Sequence, residues 1–313
     1  MMRIFLTAML AGTAVAQVSA PLLGYLPDQG TIRTMTGIPA SASIGPLLSA
    51  GQAFTQIAVS SSGSFALAST SAGEVVVLTV AADGVTSQTA TVPGAAAGNL
   101  QLSPNGSSAL ISNGGALQVL GGLPASPSIV SSVDVTYLGA ASALAVSDDG
   151  QWVAGVFGGA VDAIGSSGQV VPLPAPSGVV AVAFFHGTED LVVTTAVQIV
   201  EISSIASTPA ASTIFGSANT PAPAQSPISL ALTSDNAWVV LLEPDGGIGQ
   251  VQLANGTVSV AHCGCKPQGL SGLGGDLFRV SNLANGSVKV YDASSGDVWF
   301  VPLAPAGTQG GQQ

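Results

Sequence analysis

The sequence predicts an all-β fold, a β-propeller of four-stranded antiparallel blades, and three observations carry the prediction. Helical periodicity is scarce past the N-terminus. Short runs rich in Val, Ile, Leu and Phe alternate with clusters of Gly, Ser, Asn, Asp and Pro. One twelve-residue pattern, an apolar strand, a Ser-x-Asp/Asn-Gly turn and a second apolar strand, recurs six times. Its copies begin 38 to 48 residues apart, the length of one propeller blade.

The first residues stand outside this pattern. Arg3, an apolar run over 4–16 and the small residues Ala14 and Ala16 read as a signal peptide cut before Gln17. A cut after Ala20 would place Pro21 beside the cleaved bond, which disfavours it. As an uncleaved anchor the run falls short of the roughly 20 apolar residues a bilayer span needs, and Gly12, Gln17 and Ser19 interrupt it. The expectation is a monomer that is secreted or periplasmic and not integral to the membrane, with residues 17–303 forming the propeller and 304–313 a flexible tail.

The blades follow in order. LLGYLP over 22–27 and TIRTMTG over 31–37 read as strands of an incomplete extra blade. The clear copies of the repeat begin at Ile57, Leu100, Leu144 and Leu230, and two worn ones at Val182 and Gly269. Seven blades are therefore expected rather than six, with the N- and C-terminal segments meeting, because an open ring would leave strand edges free to pair with other chains. In each turn a Ser or Asp side chain accepts backbone N–H bonds and Gly supplies the positive φ. Gly63, Gly106 and Gly150 are the positions where this matters most.

The Ser-Pro-Asn-Gly turn at 103–106 and Ser-Asp-Asp-Gly at 147–150 resemble the SPDG-type turns of YVTN-repeat and lactonase-like propellers. The likeness covers the six repeats and implies a fold shared by many functions. GYLPDQGTIRTMTGIP from Gly24 and Cys-Gly-Cys at 263–265 are similar to segments of secreted propellers of environmental bacteria, which implies no activity. The Trp-Asp dipeptide of WD40 blades, the Trp-rich quinoprotein docking motif and a basic cluster suited to a phosphorylated sugar lactone are all missing from the sequence. Lactonase chemistry is accordingly not carried over.

Composition narrows the partners. Of 313 residues, 47% are hydrophobic and 7% charged, and five Lys and Arg against sixteen Asp and Glu give a net charge of −11. So few cations exclude the basic stripe that nucleic acid requires, and so many apolar residues exclude disorder. Nine Phe, three Trp and three Tyr are too few for the aromatic girdles of an outer-membrane barrel, and a parallel β-helix would repeat at a shorter interval.

Candidate chemistry is sparse. The sequence has two His and lacks a Gly-x-Ser-x-Gly elbow, a His-Glu-x-x-His motif and a Walker-type loop. His186, beside Glu189 and Asp190, is a possible general base, yet it occupies a turn that the other repeats build without chemistry, and the turn reading is preferred. His262, Cys263, Cys265 and Lys266 form the densest unusual cluster. A structural disulfide between Cys263 and Cys265 ranks first in a secreted chain, free thiols second, and a copper or zinc site with His262, or a redox role, third. Propeller topology puts this cluster on the rim that also carries the hairpin EPDGGIG, so Glu243, Asp245 and Lys266 mark the expected ligand face. Residues 203–227, rich in Pro, Ala and Ser, read as a long flexible loop that either covers that face or hangs from it. Asn105, Asn255 and Asn285 match a glycosylation acceptor, but Asn-Gly is equally a hairpin signal, and the turn reading is preferred.

These readings converge on a secreted, non-enzymatic scaffold for a protein, glycan or surface ligand, without a cofactor. The alternative is an extracytoplasmic hydrolase or a metal- or redox-dependent enzyme that uses the rim of Cys263 and Cys265.

Overall fold

The structure is a computed structural model that describes residues 20–48, 52–80, 86–216, 226–283 and 287–304. The proposed signal peptide, Asn285 and all of the tail but Ala304 lie outside them. Seven antiparallel sheets, over 22–48, 54–91, 99–134, 141–172, 181–215, 229–262 and 271–302, form blades 1 to 7. Blades 2 to 7 have four strands in sequence order and blade 1 has three.

Burial explains the ring. The second strand of each repeat is largely apolar, and in Phe65–Thr70, Trp152–Phe157 and Leu191–Thr194 every residue is buried. Successive side chains of a strand point to opposite faces, so such a strand must be covered on both sides. Phe65 and Leu67 pack toward blade 3, while Ala66 and Ala68 pack toward blade 1. Leu191 and Val193 face blade 4, while Val192 faces blade 6. The apolar core is thus divided into seven clusters, one between each pair of neighbouring blades. The cluster of Leu26, Met35 and Ile44 with Leu273, Leu277 and Val290 joins blade 1 to blade 7, so the ring is closed. At its outer edge the chain ends also meet, through a parallel bridge of Leu303 to Ile44 and a bond from Ala304 N–H to the Ile44 carbonyl at 2.8 Å.

Blade 1 differs from the others in direction. Its first strand, Leu22–Asp28, begins at the rim of the Ser/Asp/Gly turns, where Gly274 N–H donates to Leu23 O. It ends at the opposite rim, where Phe54 N–H, at the start of the innermost strand of blade 2, donates to Gly30 O. This strand therefore runs against the innermost strands of blades 2 to 7 and corresponds to their second strands. Its residues confirm the match: Tyr25 faces blade 2 and Leu26 faces blade 7, both buried. Among the described residues, blade 1 has no equivalent of the innermost strand.

The turns form a second ring. In the turns that begin at Ser60, Ser103, Ser147 and Thr233, the first N–H donates to the carbonyl five residues on. In the last three, the hydroxyl donates to the third side chain, as Ser147 does to Asp149 at 2.6 Å and Thr233 to Asp235 at 2.8 Å. The same Asp235 oxygen accepts the Ala237 N–H, and these bonds hold its carboxyl below the usual carboxylate range. Gly63, Gly106 and Gly150 have φ of +65°, +78° and +68°. At Gly150 a Cβ would also stand 3.0 Å from Ser108 Oγ.

Neighbouring turns are joined by side chains in their second to fourth positions. Ser61 Oγ donates to Pro104 O, and the buried Asp148 carboxylate accepts Asn105 N–H from blade 3 at 2.9 Å and Gly187 N–H from blade 5 at 2.7 Å. Asn236 makes a reciprocal pair with the backbone of His186, and Asp276 accepts both Ser234 N–H and Ser234 Oγ.

One loop reading is corrected. Residues 203–227 are not irregular throughout, because Ala210–Phe215 is the outer strand of blade 5, and 217–225 lie outside the described residues. Its small polar side chains are mostly exposed, so the strand carries no apolar alternation to reveal it.

Two buried carboxylates give opposite expectations. Asp148→Ala removes two charge-assisted bonds that join blades 3, 4 and 5 and should lower unfolding free energy by about 2–3 kcal/mol, whereas Asp149→Ala, which loses only local turn bonds, should cost about 1 kcal/mol; urea denaturation of both variants checks the difference. Asp162 is buried in blade 4, and desolvation raises its carboxyl pKa. The native state then holds a proton the unfolded chain releases, so this group's stabilising contribution is full below the unfolded pKa and declines as pH rises through the folded one. Asp162→Asn should therefore raise the thermal midpoint at pH 7 and leave it nearly unchanged at acid pH, as calorimetry at the two pH values would show.

Candidate functional site

The innermost strands of blades 2 to 7, with Tyr25 and Pro27 of blade 1, enclose a central channel with a cavity of about 680 Å³. Ile57, Leu100 and Leu230 supply part-exposed apolar side chains to its wall, and Gln101 a polar one. Ser61, Asn105, His186 and Ser234 surround its mouth at the turn rim, where the hydrogen-bonded belt fixes their backbones.

The strand register shows how blade 7 departs from the rest. In blades 2 to 6 the innermost residues Ala58, Gln101, Ala145, Ala183 and Ala231 lie opposite Leu67, Leu110, Ala154, Val192 and Val240. Those five second-strand residues are 0–1% exposed and pack against the following blade. The equivalent pair in blade 7 is Ser271 and Arg279. The turn between them is one residue shorter, closing from Leu273 N–H to Leu277 O, and the innermost strand is reduced to Ser271–Gly272. Leu277 packs toward blade 1, and alternation puts Arg279, two residues on, on that same face. There blade 1 has no innermost strand among the described residues, and Arg279 lines the channel.

Arg279 Nη2 donates to Ser271 Oγ at 3.2 Å, its one hydrogen bond among the described residues. Desolvation lowers its pKa from the ordinary value, but a guanidinium remains cationic at neutral pH. The other described cations are placed differently: Arg33 pairs with Asp28 at 2.7 Å, Lys289 lies 5.2 Å over the Phe300 ring, and Lys266 is exposed. Burial also pushes the Tyr25 phenol pKa up.

Sequence reasoning did not single out Arg279. The signal was nevertheless present, since aligning the six repeats puts Arg at the eleventh position, where the others have Leu, Leu, Ala, Val and Val.

The residues that were singled out lie elsewhere or act structurally. His186 lines the channel mouth, with its backbone held by Asn236. Asp190 accepts Ser204 N–H. Asn105 and Asn255 each accept the N–H two residues on, within their turns. At the opposite rim, Cys263 and Cys265 are joined by a disulfide with their Cα atoms 5.2 Å apart, closer than the roughly 6.5–7 Å of an extended i, i+2 pair. Gly264, at φ +58°, makes that bend. Cys263 N–H donates to Gly246 O, and Gly246 packs so closely that a Cβ would lie 2.9 Å from Cys263 Sγ. The disulfide thus braces the hairpin of Glu243 and Asp245. Asp245 caps Gly247 N–H, Glu243 accepts Ser226 N–H, and His262 Nδ1 accepts Gly264 N–H. Among the described residues, no group of three or more His, Cys, Asp or Glu is arranged to hold a metal. A second cavity of about 360 Å³ opens at this rim between blades 3 and 4, beside Asn113 and Thr136. Neither cavity is lined by Glu243, Asp245, His262 or Lys266.

Fold and channel together define a seven-bladed β-propeller. Solved structures similar to it include a candidate 6-phosphogluconolactonase from Bacteroides uniformis, at 16% identity over 90% of this chain and 96% of that one, with a TM-score of 0.59. A functionally unknown protein from Desulfotomaculum acetoxidans is similar at 14% identity over 90% of this chain and 99% of that one, also with a TM-score of 0.59. At such identity the likeness is one of fold. No protein-family model matches the chain, and no curated protein matches it in sequence.

The disulfide closes a very small loop, so it removes little chain entropy from the unfolded state. The double variant Cys263→Ser, Cys265→Ser should lose well under the roughly 2–5 kcal/mol typical of disulfide removal from small secreted domains. Non-reducing peptide mapping of the wild type should show the peptide over 262–266 two hydrogens light and refractory to alkylation until reductant is added.

Proposed function

We propose that this propeller is a secreted or periplasmic binding module, not a catalyst, and that it takes its ligand through the turn-rim mouth of the central channel. The observation that carries the reading is the chemistry of the wall. Tyr25, His186 and Arg279 are its ionisable side chains, and no carboxylate lines it among the described residues. General acid–base hydrolysis calls for groups that give and take a proton at the reacting atoms. Here the wall offers one imidazole at the mouth and a lining shared almost evenly between polar and apolar groups, whose apolar part gains free energy by excluding water from a ligand. The leader-like segment over 4–16 and the Cys263–Cys265 disulfide both fit an oxidising compartment.

Hydrolysis is the competing reading, favoured by the fold of the candidate 6-phosphogluconolactonase. A phosphorylated sugar calls for several convergent cations, whereas this channel has one guanidinium in a chain of net charge −11. Incubating the chain from Gln17 onward with glucono-lactone and its 6-phosphate should give the buffer rate of ring opening. In parallel, a thermal-shift panel of small acids, sugars and amides should raise the midpoint with at least one class. Turnover above buffer that disappears in His186→Ala would overturn the binding-module reading.

A further inference from the structure

We infer that Arg279 and Ser271 form an anchoring site for the carboxylate of a small monoanionic ligand with an apolar body, which lies in the central channel. The inference rests on reading the channel as a binding site and names the chemistry it selects.

Three observations support it. First, Arg279 stands where blades 2 to 6 place Leu67, Leu110, Ala154, Val192 and Val240 between blades. An apolar residue there would stabilise the ring as it does in the other five, whereas a guanidinium must be desolvated. Second, the cation is not compensated within the fold. No described carboxylate pairs with it, and one bond to Ser271 Oγ uses a single donor of five. Third, space is provided at the same place. Among the described residues blade 1 has no innermost strand next to Arg279, and the innermost strand of blade 7 is cut to Ser271–Gly272, so the side chain borders the cavity.

The surroundings fix the ligand class. A planar guanidinium matches a carboxylate through two parallel N–H bonds, and the half-burial of Arg279 strengthens that pair. With one cation in the channel and a net charge of −11 on the chain, multiply charged anions are repelled more than they are compensated. Beyond the guanidinium, the part-exposed side chains of Ile57, Leu100 and Leu230 offer contact to hydrocarbon.

The test uses octanoate, octanol and inorganic phosphate as calorimetric probes of the chain from Gln17 onward at neutral pH. Octanoate should bind at least tenfold more tightly than octanol, and phosphate should give no saturable heat. Arg279→Leu, which installs the residue of blades 2 and 3, should fold with an equal or higher thermal midpoint and abolish the preference for octanoate over octanol. Arg279→Gln, uncharged but polar, provides the same readout should the leucine variant fail to fold. Three results would overturn the inference: no octanoate binding at millimolar concentration, an unchanged preference in the variants, or phosphate binding as tight as octanoate. Failure of the underlying reading looks different, because it appears as lactone turnover by the same sample. Absent binding with absent turnover removes the Arg279 site alone.

Discussion

Two-sided burial of the second strands is the constraint on which the rest of this architecture depends. A sheet with one apolar face is satisfied by one partner, and a sandwich results. In this chain Phe65 and Leu67 point one way and Ala66 and Ala68 the other, and all four are fully or almost fully buried. A sheet with two apolar faces needs two neighbours. Applied to every sheet, that requirement has no end unless the last blade covers the first. The twist of each sheet turns a stack into a ring, and the seventh cluster, between Leu273 and Leu277 of blade 7 and Leu26 and Met35 of blade 1, is where the requirement is finally met.

Closure in turn determines what lies at the centre and what holds it still. Innermost strands are covered on their outer side by the second strands and face one another across the axis, so their inward side chains form a channel rather than a core. Small residues at Ala58, Ala145, Ala183 and Ala231 keep it open. The belt of turn-to-turn bonds then fixes its mouth. Asp148 is central to that belt, because one carboxylate binds the backbone of blades 3 and 5 on either side of its own. Residues such as His186, whose main chain is bonded on both sides of the peptide to Asn236, are held in place before any ligand arrives. Pre-organisation of this kind lowers the cost of ordering a site on binding.

Local chemistry made much of this legible in the sequence, and the illegible parts share a physical cause. Gly63, Gly106 and Gly150 announce their turns because a positive φ is a local demand that glycine meets. The apolar runs after them announce buried strands by composition and by the turns that bound them, and the segments over 22–27 and 31–37 read as strands. Outer strands such as Ala210–Phe215 have one solvated face and an exposed edge, so their composition resembles that of a loop. The reversed strand of blade 1 was also hidden, since direction within a ring is set by Gly274 and Phe54, which are distant in sequence. The same holds for Asp148, which looks like its neighbour Asp149 until bonds spanning 43 and 39 residues distinguish them.

A ring of near-equivalent blades has, by itself, no preferred direction in which to hold a ligand. Orientation must come from departures from the repeat, and here they are not scattered. The shortened turn over 273–277, the two-residue innermost strand Ser271–Gly272, the arginine at an otherwise apolar position and the three-stranded blade 1 are all adjacent across a single blade interface. Each alone would be a local defect in the packing. Together they replace one sector of a regular wall with an opening, a hydroxyl and a positive charge. The blade interface that departs most from the repeat is therefore the one with the means to orient a bound molecule, and at Arg279 stability and selectivity compete for the same position.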